Sequence, residues 1–466
     1  MLYLDFLKAK QITVESSGFD CLVENINPML FDWQKDIDKW ALKKGKAALF
    51  EDCGLGKTPQ QLEWAKQVCK HTGGNVLILA PLAVSLQTVR EGEKFGIQVN
   101  LCKSQADVKP GINITNYEKL EHFDCGSFVG VVLDESSILK AYSGKIKQQI
   151  IDCFEHTPYK LACTATPAPN DFMELGNHSE FLGIMRRTEM LSTFFVHDGA
   201  DTAKWRLKGH AQDKFWAWVA SWAAVLSNPY DLGYDGTDYE LPPLNVIEHI
   251  VKSDQQADSD GQLLMFAQTV QTLNERREAR RGSLSDRVKV AAEIANGTDK
   301  QVLVWCDLNV ESAELTKAIN GAVEVKGANT DEHKSNTMLG FSSGDIRVLV
   351  SKPSIAGWGM NWQNCDTMIF CGLSDSFEAY YQAVRRCWRF GQTNPVDVHI
   401  IISDAEGAVK ANVERKQADA QKMTTQLVKY TKDILSNDIH GTVRMSENYI
   451  PTEIMILPEW LRSEVA

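Results

Sequence analysis

The sequence predicts an α/β protein made of two parallel-sheet units in tandem, with a mainly helical stretch between them. Three observations carry that expectation. Short apolar runs recur in two separated blocks, each run followed by a helical pattern, as strands buried on both faces of a parallel sheet require. The first run of the earlier block leads into a glycine-containing turn and a helix start at Lys57-Thr58. Between the blocks the texture changes to helix formers and aromatics, with a break at Leu241-Pro242-Pro243, where paired prolines interrupt helix and sheet alike.

In chain order, the earlier block offers strands at Ala47–Phe50, Val76–Ala80, Ile112–Thr115, Val129–Leu133 and Lys160–Thr164. The later block offers Val302–Cys306, Val323–Val325, Arg347–Ser351, Thr367–Cys371 and Val396–Ile402. The stretch between holds Trp205, Phe215, Trp216, Trp218 and Trp222, which read as a helical core. It also holds a helical pattern over Gln262–Arg281 that ends in the basic cluster Arg276, Arg277, Arg280 and Arg281. These divisions predict an N-terminal nucleotide lobe over 1–175, a mainly helical insertion over 176–295, a second lobe over 296–405 and a helical, then extended, tail over 406–466.

Length and composition agree: 466 residues hold two to four domains at roughly 100–200 residues each. With 44% hydrophobic and 24% charged residues, a disordered chain, a collagen-like fibre and a disulfide-stapled miniprotein are excluded. The 49 basic against 61 acidic side chains give −12, which argues against a generally basic surface and leaves room for a local basic groove. Eleven cysteines stand without any Cys-x-x-Cys pair, so neither zinc nor a redox dithiol is expected. Reduced, mostly buried thiols, a start without a basic-then-apolar leader and the lack of a membrane-length apolar run together set the expectation of a cytoplasmic, non-membrane protein.

The chemistry concentrates in two places. In Glu51-Asp52-Cys53-Gly54-Leu55-Gly56-Lys57-Thr58, Gly54 and Gly56 let the backbone curl so that successive N–H groups face an anion. Lys57 then supplies a point charge near β- and γ-phosphates, and Thr58 a hydroxyl for Mg²⁺. The general phosphate-loop pattern has glycine where this chain has Glu51. Later, Val129–Leu133 ends in Asp134-Glu135, which places two carboxylates at the C-terminal edge of the sheet. Asp134 suits a metal's water shell, and Glu135 suits polarising the attacking water.

Together these motifs resemble superfamily 2 helicases, and among them the Swi/Snf-type DNA translocases. The loop form Asp52-Cys53-Gly54-Leu55-Gly56-Lys57-Thr58 is similar to that family's variant, and Asp134-Glu135-Ser136-Ser137-Ile138-Leu139-Lys140 resembles its Asp-Glu box. Phe31-Asp32-Trp33-Gln34 resembles the segment whose glutamine recognises adenine, which makes Gln34 the candidate. Thr164-Ala165-Thr166-Pro167 resembles the motif that couples hydrolysis to movement, and Pro81 stands where the family makes a nucleic-acid contact. Gly357-Trp358-Gly359-Met360-Asn361 and Gln382-Ala383-Val384-Arg385-Arg386-Cys387-Trp388-Arg389-Phe390-Gly391-Gln392 resemble the two motifs of its second lobe. The family often has Asp where this chain has Arg385, which removes a local ion pair.

The resemblance implies two RecA-like lobes with ATP and Mg²⁺ between them and DNA favoured over RNA as the track; compact size without an obvious nuclease, methyltransferase or chromatin-reading segment fits a bacterial or viral protein. Its implied site comprises Lys57, Asp134, Glu135, Arg386 and Arg389 for catalysis, with Gln34, Gly54, Gly56, Thr58, Gly359 and Gln382 around the nucleotide. Thr58 and Asp134 would hold the metal, and Pro81, Thr164, Thr166 and Asn361 would couple to or contact nucleic acid. An arginine brought from a second lobe to a γ-phosphate is worth roughly 10³–10⁵-fold in GTPases. Arg386 and Arg389, three apart on an expected helix, would share one face. An RNA helicase, and a nucleotide-driven switch or assembly protein that never translocates, stand as alternatives. Trp358 and Trp362 read as packing residues before base-stacking ones, and His178, His210 and His399 lack metal-ligand spacing.

Overall fold

The computed structural model describes residues 14, 16–140, 144–169, 171–198, 201–251, 282–356, 360–374, 376–403 and 407–440. Fifteen strands run in chain order among these residues. They are β1 (Lys46–Glu51), β2 (Asn75–Ala80), β3 (Val99–Leu101), β4 (Ile112–Asn116), β5 (Phe128–Asp134), β6 (Tyr159–Cys163), β7 (Phe195–Asp198), β8 (Asp201–Leu207), β9 (Ala223–Leu226), β10 (Leu244–Val251), β11 (Val302–Trp305), β12 (Ala322–Val325), β13 (Val348–Ser351), β14 (Thr367–Cys371) and β15 (Val396–Ser403). All ten runs expected from apolar patterning form strands.

Two parallel sheets result, in the order β3-β4-β2-β5-β6-β1-β9 for the first lobe and β10-β15-β14-β11-β13-β12 for the second. Each is covered by helices on both faces, giving two RecA-like α/β lobes in tandem. β1 shows why its composition is continuous rather than alternating: Ala48 and Phe50 enter one core, Ala47 and Leu49 the other. No described helix is long and apolar enough to cross a membrane.

The region expected as a helical insertion is instead divided between the lobes. β9 pairs with β1, with Ala48 opposite Ala223, and so extends the first sheet well past residue 175. Trp216, Trp218 and Trp222 are buried in that lobe's core, on the helix Gln212–Ala220 and the turn after it, while Trp205 is only half-buried. β10 pairs with β15 and starts the second sheet directly after the paired prolines. Four-residue strands such as β9 lack the length to stand out in a pattern of helix formers. The expected helix Gln262–Arg281 and its four arginines lie outside the described residues.

The tail forms one long helix, Gly407–His440, that leaves the second lobe after β15 and lies across the first. Tyr430 stacks on Trp216 at 5.6 Å between centroids and 5° between planes, and its hydroxyl accepts from Gln212 at 2.9 Å. Leu427 and Leu435 are buried in the first lobe's two cores, and Asp438 takes Trp40 Nε1 at 3.1 Å and pairs with Lys44 at 2.9 Å. The last residues, 441–466, lie outside the described set. One cysteine expectation also fails: Cys125 and Cys153 form a disulfide, 5.6 Å apart at Cα. Seven of the nine remaining thiols are buried.

Candidate active site between the two lobes

β5, β6 and β1 are neighbours in the first sheet, with Asp134 opposite Cys163 and Cys163 opposite Leu49. Their C-terminal ends therefore bring the phosphate loop, the paired carboxylates and Thr164 to one edge. Gly54 and Gly56 hold φ of 93° and 79° in the loop, conformations that cost an L-residue 1–2 kcal/mol or so. Space is as tight as the torsions: a Cβ on Gly54 would stand 3.0 Å from the Phe390 nitrogen, and one on Gly56 2.5 Å from Gln34 Nε2. The helix Lys57–Thr72 starts at the loop's end, so Thr58 sits in its first turn and Lys57 Nζ reaches back to the carbonyls of Glu51 (2.7 Å) and Asp52 (3.0 Å).

Glu51 lies fully buried under this loop. Its Oε2 accepts from Gln60 Nε2 at 2.8 Å, and the same amide reaches the Gly56 carbonyl at 3.3 Å. Burial pushes the Glu51 carboxyl up to about 7, against the pull of Lys57 and the Gln60 hydrogen bond. Asp134 Oδ1 accepts from Gln61 at 2.8 Å. Glu135 is the one non-glycine with positive φ, 61°, among the described residues; such strain clusters at functional sites. Its Oε1 accepts from the Thr164 hydroxyl at 2.5 Å and from Ser137 at 3.0 Å. Burial raises both carboxyls above their ordinary range, for Glu135 against Thr164 and Lys57. A raised carboxyl is what a general base near neutral pH needs.

Thr164 Oγ1 also accepts from Thr166 N at 3.1 Å, so the two threonines form a short turn against Glu135. Behind it, His178 is buried and neutral, 3.1 Å from Ser136, with its pKa pushed down to about 4 by burial. Gln34 is buried with both ends engaged: its oxygen takes Phe31 N at 3.0 Å, and its amide donates to the Leu55 carbonyl at 2.9 Å. That side chain braces the phosphate loop, and an adenine contact would have to replace these bonds.

The arginines come from the other lobe, but not on a helix. The helix Phe377–Val384 ends before them, and residues 385–390 form turns. Arg386 donates through Nε to Gln382 O and through a terminal nitrogen to Met360 O, each at 3.1 Å. Burial lowers its pKa, while Glu135 and Asp134 favour its charged form. Arg389 is pushed down to about 10, first by burial and then by Arg386. The Gln382 side chain is buried with no hydrogen-bond partner among the described residues. Arg385, expected only to remove a local ion pair, makes a new one across the cleft: 2.7 Å to Asp52 Oδ2 and 2.7 Å to the Cys53 carbonyl. Gly359 and Trp358 lie outside the described residues; Trp362 is core, buried against Trp305 and Phe341.

Residues 285–391 match the helicase conserved C-terminal domain family. That match lies within the second lobe. The phosphate-loop lobe faces it across the cleft. The match starts inside the stretch expected as the insertion. No curated protein matches the chain in sequence. Among solved structures, the Sulfolobus solfataricus SWI2/SNF2 ATPase core in complex with dsDNA is similar at 18% identity and a TM-score of 0.41, over 89% of this chain and 97% of that one.

The two lobes together line a cavity of about 990 Å³. Pro81 from the first lobe and Asn361 from the second both line it, as does Glu135. Arg90, Lys94, Lys103, Lys119, Lys140 and Lys334 give it six basic side chains against the acidic Glu91, Glu118 and Glu135. In a chain of net charge −12, this groove is a local reversal of sign. Lys140 crosses it to pair with Glu378 of the second lobe. Sequence reasoning gave Asp52 only as part of the loop motif, and did not reach Tyr381, Glu378 or Tyr239, which lies between β9 and β10 and meets Phe390 at 4.7 Å. Their roles depend on which surfaces face each other, and no local pattern encodes that.

Proposed function

We propose that the chain is an ATP-dependent motor on nucleic acid, a translocase or helicase, with DNA favoured over RNA. The observation that supports this most is the shared wall: Glu135 borders both the phosphate loop and the basic groove lined by Pro81 and Asn361. A polymer in the groove and the attacking water would then act on one side chain, through its bonds to Thr164 and Ser137. The motif resemblance of the arginine segment supports DNA as the track.

The residues fit ATP with Mg²⁺. Two glycines open the loop's N–H groups, Lys57 sits over its carbonyls, and the buried amide of Gln382 lacks a protein partner among the described residues. Thr58 and Asp134 would hold the ion, which supplies charge neutralisation on phosphate oxygens. Lys57 would release the Glu51 and Asp52 carbonyls to meet phosphate, Glu135 would take the proton of the attacking water, and Arg386 and Arg389 would face the charge that develops on the γ-phosphate.

ATP turnover measured without polymer, and with single-stranded DNA, duplex DNA or RNA, tests the reading. The fastest rate is expected with DNA, and Lys57→Ala should abolish it. A rate highest with RNA would replace DNA by RNA as the track, and displacement of a third strand from duplex DNA would separate translocation from unwinding.

A further inference from the structure

The second lobe grips the phosphate loop itself. Asp52 receives Arg385 on one carboxylate oxygen at 2.7 Å and the Tyr381 hydroxyl on the other. The same guanidinium nitrogen donates to the Cys53 carbonyl at 2.7 Å, while Cys53 N–H turns back to Asp52 Oδ1 at 2.6 Å. Arg385 lies over the faces of Tyr381 and Trp388, at 5.8 and 5.1 Å from the ring centroids, and its side chain is 5% exposed. One residue further along the loop, Gly54 meets the backbone and Cβ of Phe390. Asp52, Cys53 and Gly54 are thus all held by residues 381–390.

We propose that Asp52, Tyr381 and Arg385 form a clasp that docks the second lobe on the phosphate loop, and that Arg385 is a positioning residue for the ATPase proposed above. Every partner in the clasp is a protein atom, so it forms without nucleotide. A guanidinium fixed between two aromatic faces and a carboxylate has little rotameric freedom left, which makes it a rigid peg rather than a mobile contact. Arg386 follows it directly in the chain. Holding residue 385 on the loop therefore sets the distance of Arg386 and Arg389 from any phosphate the loop holds. Arg385 commits one terminal nitrogen to both Asp52 and Cys53, which ties it to the loop, so it acts through its neighbours. The charges are complementary: the loop carries the acid and the facing lobe the base.

The test uses the full chain in two arms. In the first, hydrogen exchange of amides 53–56 is followed without nucleotide. Arg385→Gln should speed exchange there by about tenfold or more, as expected when a charged hydrogen bond of roughly 1.5–3 kcal/mol is lost, and Tyr381→Phe should do so to a smaller degree. Unchanged exchange at 53–56 in both variants, with sheet amides still protected as in wild type, overturns the clasp. In the second arm, kcat and KM for ATP are measured for Asp52→Asn, Arg385→Gln and the double variant. The clasp predicts losses in kcat with KM for ATP shifted by less than about threefold, and a double variant no worse than the poorer single one, because the lone buried charge is the costly state. Losses that multiply overturn it. Absence of any ATP turnover by the wild type would refute the ATPase reading, while the exchange arm would still decide the clasp.

Discussion

Glu51 occupies the place where a general phosphate loop has glycine, and its surroundings explain how a carboxyl survives there. It is fully buried, shares Gln60 with the Gly56 carbonyl, and is held up to about 7 by burial. A carboxyl whose folded pKa is raised from 4.5 contributes its full stability below 4.5 and loses it as pH rises through about 7. The difference amounts to about 3 kcal/mol for this buried group. Glu51→Gln should therefore raise the denaturation midpoint at pH 8 and leave it close to wild type at pH 5; equal midpoints at pH 8 would show that Glu51 is not held neutral by burial. Residue identity and order were enough to place Lys57, Asp134, Glu135 and Thr164 at one site, because each lies at or just beyond the C-terminal end of a strand in the same sheet. They could not give the facing of Arg385 to Asp52, since those residues meet only when the lobes do.

At the scale of elements, the ten strands with continuous apolar runs were legible because burial on both faces removes polar alternation. β9 and β10 were not. β9 is four residues in a tryptophan-rich stretch, and β10 is an edge strand that exposes Val246 and Ile250 and so lacks a buried-strand pattern. The arginine segment shows the reverse error: a helical spacing was read through residues 385–390, which the structure folds into turns. The helix Gly407–His440 was legible as a helix but not as a strap, because its partners Trp216 and Trp40 stand far away in sequence. Leu427→Ala removes a side chain buried in the first lobe's core and should cost about 2–5 kcal/mol. The loss should appear as faster hydrogen exchange in β9 and the helix Gln212–Ala220, with the second sheet unaffected. Equal loosening of both sheets would contradict the assignment of this segment to the first lobe.

Across the whole molecule, a net charge of −12 and a basic interlobe groove are compatible because six positive side chains line the groove against three acidic ones. Binding confined to such a groove should be weak and steeply salt-dependent, since each phosphate contact releases counterions. The central claim is that a polymer in this groove drives turnover at the adjoining phosphate loop. It is tested most directly by the concentration of duplex DNA that gives half-maximal stimulation of ATP hydrolysis, in wild type and in Lys119→Glu/Lys334→Glu. The account predicts a stimulated wild type and a variant needing about tenfold more DNA or beyond, at roughly 1 kcal/mol or more for each reversed groove charge. An unchanged half-maximal concentration, or a wild type that no polymer stimulates, would contradict it.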